Sequence, residues 1–291
     1  MAAEKEGLRL ILRRFEEKIA KVLMLASIVL VLASLAGIIA VIAIRGVSAL
    51  SISLLIQIPK GGFYLGKEGG IANAIVGSLY LSLGALFLSI LFGLPIAFGL
   101  QREFTKRRLG HITRLTLDVL WGMPSIVYGA FGFIIMLYLG LRASLLGGII
   151  TLTLLMLPIM IRALEEVVRM VPVELKEVSY SLGATKLETT LRVVFKQVFP
   201  GIITASMLAF GRGIGDAASI LFTAGYTDNI PRSLLEPAAS LPLAVFFQIG
   251  TPIPEVQQRA YASALVLLFI VLLASIASEI LKRRASRYTL R

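Results

Sequence analysis

Residues 158–202 read PIMIRALEEVVRMVPVELKEVSYSLGATKLETTLRVVFKQVFPGI. Apolar runs flank this stretch on both sides, and charge returns inside it. Residues 163–170 carry the apolar stripe of an amphipathic helix. Pro172 breaks that helix, because proline lacks an amide donor and disfavours helix in the residue before it. A short second helix is predicted over 174–182. Gly183 ends it, since glycine takes the left-handed C-cap conformation at no steric cost. A third helix is predicted over 187–198, leading to Pro200 at the mouth of the next apolar run. A short helix held out between two helical arms can serve as a mechanical handle. A solvated amphipathic loop would show the same pattern.

The surroundings decide what such a handle belongs to. Of the 291 residues, 57% are hydrophobic and 16% charged, and the mean hydropathy is +0.88. Soluble domains are about 45–50% apolar even with glycine counted, and about 25% charged. The chain is therefore expected to be an integral membrane protein, all-α. There is no cysteine, so disulfide and thiol chemistry are excluded, and a single histidine, His111, sits in a basic loop. Residues 22–44, 69–100, 119–141, 143–161, 199–225 and 261–278 are each long and apolar enough to span. Residues 1–21 form an arm before the first transmembrane helix, 69–281 a core of five further helices, and 282–291 a tail. The first run exceeds a usual signal-peptide core and follows a mixed-charge stretch, so it reads as an uncleaved anchor.

Lysine and arginine set the orientation. Six lie in 1–21, five in 101–115, six in 162–198 and five in 282–291. The alternate loops hold only Arg45, Lys60, Lys67, Arg142, Arg232 and Arg259. Both termini are therefore expected in the cytoplasm, and the net charge of +12 faces anionic lipid and a cytoplasmic partner rather than nucleic acid. The outer loop 226–260 contains SLPLAVFFQIG (240–250), too short to span and predicted to be a re-entrant or surface-lying helix. Glu68 and Asn73, at the outer end of the second span, lie where an external protein would approach.

The handle has a close counterpart. Glu177-Val178-Ser179, with Gly183 at the right spacing, resembles the EAA loop of ABC-importer permeases. IRALEEVVRMVP, LGATKLETT and PGI resemble the phosphate-importer branch of that family. GGIANAIVGSL (69–79), MPSIVYGAFGF (123–133), GRGIGDAA (211–218) and SLPLAVFFQ (240–248) are similar to the same branch. The resemblance covers roughly 69–280. Two positions depart from it: Val178-Ser179 replace the common Ala-Ala, and Phe195-Lys196 stand where Leu-Pro is common. The resemblance implies a type I (MetI-like) permease fold with six transmembrane helices. It implies a second, related permease subunit as heterodimer partner, two ATP-binding subunits and an extracytoplasmic phosphate-binding protein. This chain has no G-x-x-x-x-G-K-[ST] loop, so ATP and Mg²⁺ are expected on a partner, with no cofactor here. It also implies that Glu174, Glu177, Ser179, Leu182, Gly183 and Ala184 couple the chain to its ATPase.

Inside the fifth span lies a charge pair. At 1.5 Å per residue from Phe199, Arg212 lies about 20 Å in and Asp216 about 25 Å in. Both are past the middle of a roughly 30 Å core. A central charge costs on the order of 3 kcal/mol and usually faces a bundle interior or an aqueous path. Spacing i,i+4 would put the two on one helix face, able to pair. Two roles stay open: a structural ion pair, or Arg212 attracting the phosphate with Asp216 holding it when substrate is absent. Gly213 and Gly215, with Gly211, allow close backbone approach or local unwinding.

Other readings are weaker. Molybdate or sulfate permeases share the EAA loop. A secondary transporter would leave that loop unexplained, and no internal repeat is visible. An intramembrane enzyme fails because no nucleophile–base or metal set can be assembled from these residues.

Overall fold

The computed structural model describes residues 2–60, 68–101 and 103–286, with side chains from Arg14 onward except that of Glu68. Of the charges that set the orientation, Lys67, Arg102, Arg287 and Arg291 lie outside the described residues, as do the side chains of Lys5, Arg9 and Arg13. The chain runs through α1 (Ala2–Ala49), α2 (Ile52–Ile56), an antiparallel pair β1 (Pro59–Lys60) and β2 (Glu68–Gly69), then α3 (Ala72–Gly99) and α4 (Arg107–Gly122). There follow α5 (Ser125–Tyr138), α6 (Leu145–Arg169), α7 (Val173–Ser181) and α8 (Lys186–Thr189). A π-helical turn (Thr190–Val194) leads into α9 (Phe195–Ile214), then α10 (Leu241–Ile249) and α11 (Pro254–Ala285).

Five stretches are long and apolar enough to cross a membrane: α1, α3, α6, the α8–α9 helix and α11. A sixth crossing exists only if α4 and α5 count together, and these are bent by 101°. The third span therefore does not run straight through 119–141. Met123 is extended (ψ 137°), as a residue before proline prefers, and Pro124 starts α5 afresh.

The core is built on α6, most of which is buried. α3 lays buried small residues against it: Ser78, Ser82, Ala85, Ser89 and Gly93 recur every three or four positions. Hydrocarbon tails are as apolar as leucine, so burial alone does little to drive helices together in a bilayer. Close packing of small residues and dispersion hold them instead. Gly93 fits this account, since a Cβ there would sit 3.1 Å from Met160 Cγ. The Ser82 hydroxyl is satisfied within its own helix by the Ser78 carbonyl at 2.7 Å.

α1 is different. Its 48 residues make one rod of about 72 Å, so the arm and the first span are continuous. Its recorded polar tie to the bundle is near its C-terminal end: Arg45 donates to the Tyr261 hydroxyl at 3.2 Å and lies 5.2 Å from that ring's centroid.

The fifth span is also shorter than expected. α9 ends at Ile214, and residues 215–240 are not helical. Asp216 offers the reason. Its carboxylate accepts the Ser219 amide at 2.8 Å, a local bond that competes with continuing the helix. Ser219, Ile220, Thr223, Ala224 and residues 238–240 of this segment are buried in protein, while 232–237 are exposed, and its buried backbone groups find partners within the fold. The Thr223 carbonyl accepts from the Ser144 amide at 2.9 Å, and the Glu236 carbonyl from the Leu145 amide at 2.7 Å. The Ala238 amide donates to the Ala224 carbonyl at 2.9 Å. Gly129 makes room for this segment, since a Cβ there would lie 2.7 Å from the Ala218 carbonyl oxygen. The apolar run at 240–250 forms α10, capped by Ser240, with Leu241, Pro242, Leu243 and Ala244 buried. Asn73 is buried too, donating to the Thr227 carbonyl at 2.7 Å, so it presents no surface to an external protein. The Glu68 side chain lies outside the described residues.

Candidate functional site

α7 and its two flanking turns form a compact module. Pro172 begins α7, with Glu174 in the first turn where a carboxylate complements the helix dipole. Gly183 ends it at φ +83°, in the left-handed region. The Gly183 amide donates to the Tyr180 carbonyl (2.9 Å) and the Ala184 amide to the Ser179 carbonyl (3.2 Å), the paired bonds of a Schellman C-cap. Thr185 and Glu188 then cap α8 reciprocally.

One face of α7 is anchored. Lys176 is buried and pairs with Glu103 at 3.0 Å, while Lys186 donates to the Glu103 carbonyl at 3.1 Å. The buried Ser179 and Thr189 hydroxyls bond at 2.9 Å. Burial, with the Glu103 carboxylate beside it, raises the Tyr180 phenol above its ordinary pKa. The other face is open. Leu182 is 84% exposed and Val178 60%, and Glu174, Glu177 and Gly183 share that surface. No side-chain hydrogen bond or ion pair is recorded for Glu174 or Glu177. A Cβ at Gly183 would meet nothing within 4 Å. Large apolar side chains exposed beside carboxylates, outside the apolar spans, mark a protein-docking surface.

Behind the module sits a hub that sequence reasoning missed. Glu165, 1% exposed, receives Arg114, Arg162 (3.0 Å) and Arg169 (2.9 Å). Arg162 also grips Asp118 with two bonds, at 2.8 and 2.9 Å, and Arg114 reaches the Leu100 carbonyl at 2.8 Å. The end of α3, all of α4 and the end of α6 are thus tied at the root of α7. A buried carboxylate of this kind is tolerated only when its lone pairs are satisfied.

The expected Arg212–Asp216 pair does not form. α9 stops between them, and no ion pair joins them among the described residues. Arg212 is exposed, with no recorded partner, on a face of α9 shared with Thr204, Leu208, Gly211 and Gly215. Gly213 points the other way, where a Cβ would lie 2.5 Å from Met156 Sδ. The glycines therefore divide: Gly213 packs inward on α6, while Gly211 and Gly215 keep the arginine's surroundings open.

Residues 89–287 match the family of binding-protein-dependent transport system inner membrane components. The chain belongs to this family. Among relatives of this permease, "Phosphate transport system permease protein PstA 1" of Mycobacterium tuberculosis is 35% identical over 221 residues, 75% of this chain and 72% of that one. "Phosphate transport system permease protein PstA" of Yersinia pestis is 32% identical over 269 residues, 92% and 90% of the two chains. A chain of the MetNI methionine ABC transporter, inward facing, superposes with a TM-score of 0.60 at 18% identity, covering 74% of this chain and 95% of that one. That likeness fixes the MetI-type, type I importer fold.

The chain is thus a multi-pass permease component of a prokaryotic inner membrane. Of the six residues assigned to coupling, Glu174, Glu177, Leu182 and Gly183 lie on the open face, Ala184 is half-buried and Ser179 is turned inward. Glu165 carried a partial signal: Arg162, Glu165 and Arg169 stand at the i,i+3 and i,i+4 spacings that pair on a helix. Arg114 reaches Glu165, and Glu103 reaches Lys176, only through the fold. Tyr128 is buried and donates to the Leu120 carbonyl at 2.8 Å, a packing role.

Proposed function

We propose that this permease is the transmembrane subunit of an ATP-driven phosphate importer, forming half of the translocation path. The open face of α7 carries the reading. It is apolar and acidic, held from behind by Lys176–Glu103 and Ser179–Thr189, and none of the described residues covers it. Such a surface suits the groove of an ATPase subunit, with Gly183 allowing the tight exit and Glu177 making a polar contact there. The choice of phosphate rests on likeness to permeases bearing that name along most of the chain.

The assembly then comprises a PstC-like second permease subunit, two PstB-like ATP-binding subunits and a PstS-like phosphate-binding protein. ATP and Mg²⁺ belong to the ATP-binding subunits, and this subunit transports without catalysing a reaction. The open face of α9 meets the second permease subunit, and Arg212, brought to that seam, attracts the phosphate. Asp216 then serves the turn after α9 rather than Arg212. The test is uptake into proteoliposomes holding both permease subunits, the ATPase and the binding protein, with phosphate, sulfate and molybdate offered in turn. ATP-dependent uptake of phosphate ahead of the other two is expected. Preference for sulfate or molybdate would reassign the substrate, and uptake by this chain alone without ATP would overturn the importer reading.

A further inference from the structure

α4 has features that the transport reading leaves unused. It joins α5 at 101°. The two helices therefore cannot both follow the bilayer normal, and the positive loop charges put the N-terminal part of α4 at the cytoplasmic surface. The exposed part of α4 is itself divided. Leu109, Ile112, Leu115 and Val119 are between 52% and 61% exposed on one side, at helical spacing. Arg107, His111 and Asp118 lie on the adjoining side, while Gly110 and Leu117 face the bundle. An apolar stripe beside a polar one, with Lys106, Arg107 and Arg108 at its start, is the pattern of a helix lying in the membrane interface.

At its N-terminal end opens a cleft of about 920 Å³, lined by Lys106, Arg107, Arg108, His111 and Arg114. Arg114 is committed to Glu165 and the Leu100 carbonyl. Lys106, Arg107 and Arg108 are exposed, and no carboxylate or hydrogen-bond acceptor is recorded for their side chains among the described residues. No side chain caps α4, so its positive dipole end adds to the same field. Uncompensated cations at the interface, next to an apolar stripe, complement one chemistry: a phosphodiester carrying acyl chains.

We propose that this cleft binds the headgroup of an anionic phospholipid, with the acyl chains running along Leu109, Ile112 and Val119. The bound lipid would fix α4 in the interface. Because Arg114 and Asp118 tie α4 to the Glu165 hub, it would also brace the root of α7 from the membrane side.

The test uses the full-length chain, incubated with phosphatidylglycerol or phosphatidylcholine and read by native mass spectrometry. Phosphatidylglycerol is expected to be retained over phosphatidylcholine. Lys106→Gln/Arg107→Gln/Arg108→Gln should lower its retention about a hundredfold, since each basic residue near an anionic surface contributes to binding. Lys282→Gln/Arg283→Gln/Arg284→Gln, an equal loss of charge in the tail, should leave it within about twofold. Should the triple variant fail to insert, Arg108→Gln alone should show about a fivefold loss. Unchanged retention overturns the site, and displacement by millimolar inorganic phosphate reassigns it to a free anion. In the assembled complex, a fluorophore at Ile112→Cys should be quenched by brominated lipid. Quenching seen only without the ATPase subunits would give this face to a protein partner and overturn the lipid.

Discussion

α7 and the end of α9 both expose charge, but they are finished to different degrees. Behind α7, Lys176 is paired with Glu103 and Ser179 with Thr189, and the outer face is left open. At the end of α9, Arg212 has no recorded partner, its neighbours include two glycines, and the acid beside it is occupied with the Ser219 amide. On the proposed function, the first region is a complete part with one docking face, and the second is one wall of a site that another subunit closes. A charge can stay unpaired there because hydration, or an anion, replaces the missing partner.

The sharpest way to break this contrast is to damage the hub behind α7. Glu165→Ala leaves Arg114, Arg162 and Arg169 around an empty space, and should destabilise the subunit by about 3 kcal/mol, the lower end for a broken buried pair. Arg169 is 46% exposed and regains water, which is why the low end applies. A thermal midpoint in detergent equal to wild type would show that the hub bears no structural weight.

Next in size is Gly183→Asp. A Cβ at this position meets no described atom within 4 Å, and aspartate tolerates left-handed backbone better than most residues, with local strain of about 1–2 kcal/mol. Insertion should be normal while ATP-driven uptake falls more than tenfold. Wild-type uptake would remove the docking role of α7.

Arg212→Gln should lower phosphate flux roughly tenfold, about 1.4 kcal/mol on the barrier, with the complex intact on a sizing column. Asp216→Asn keeps an oxygen that can accept the Ser219 amide, so its flux should stay within about twofold. Equal losses for the two variants would restore a functional pair and erase the contrast. The smallest effect is expected for Ser179→Ala, which leaves the buried Thr189 hydroxyl without its partner at a cost of about 1 kcal/mol, visible in the thermal midpoint and not in coupling.

The local rules were legible in the sequence. Gly183 after a short helix, Pro172 before it and the basic loops follow from backbone chemistry and charge placement that need no tertiary context. Ser179 looked like its exposed neighbours because its partner, Thr189, lies beyond the turn at Gly183. The inward turn of Lys176 depended on Glu103, in a different loop. Asp216 misled for a definite reason: helical spacing to Arg212 assumes the helix continues, and aspartate is a residue able to end it by bonding its own backbone. The apolar run at 119–141 is unbroken and so reads as one span, although Pro124 marks the corner.

The π-helical turn at Thr190–Val194 has a consequence of its own. Such a turn acts as one extra residue within an otherwise regular helix. One residue added to a regular α-helix would rotate everything beyond it by about 100°. The wider i→i+5 turn absorbs most of that rotation, so the α7 module and the arginine-bearing end of the same helix keep close to the bearings of an unbroken helix. Deleting one residue inside the turn would leave a continuous helix of ordinary pitch with α7 on nearly its present bearing, whereas deleting one in the regular helix beyond it would swing α7 by about a quarter turn relative to Arg212.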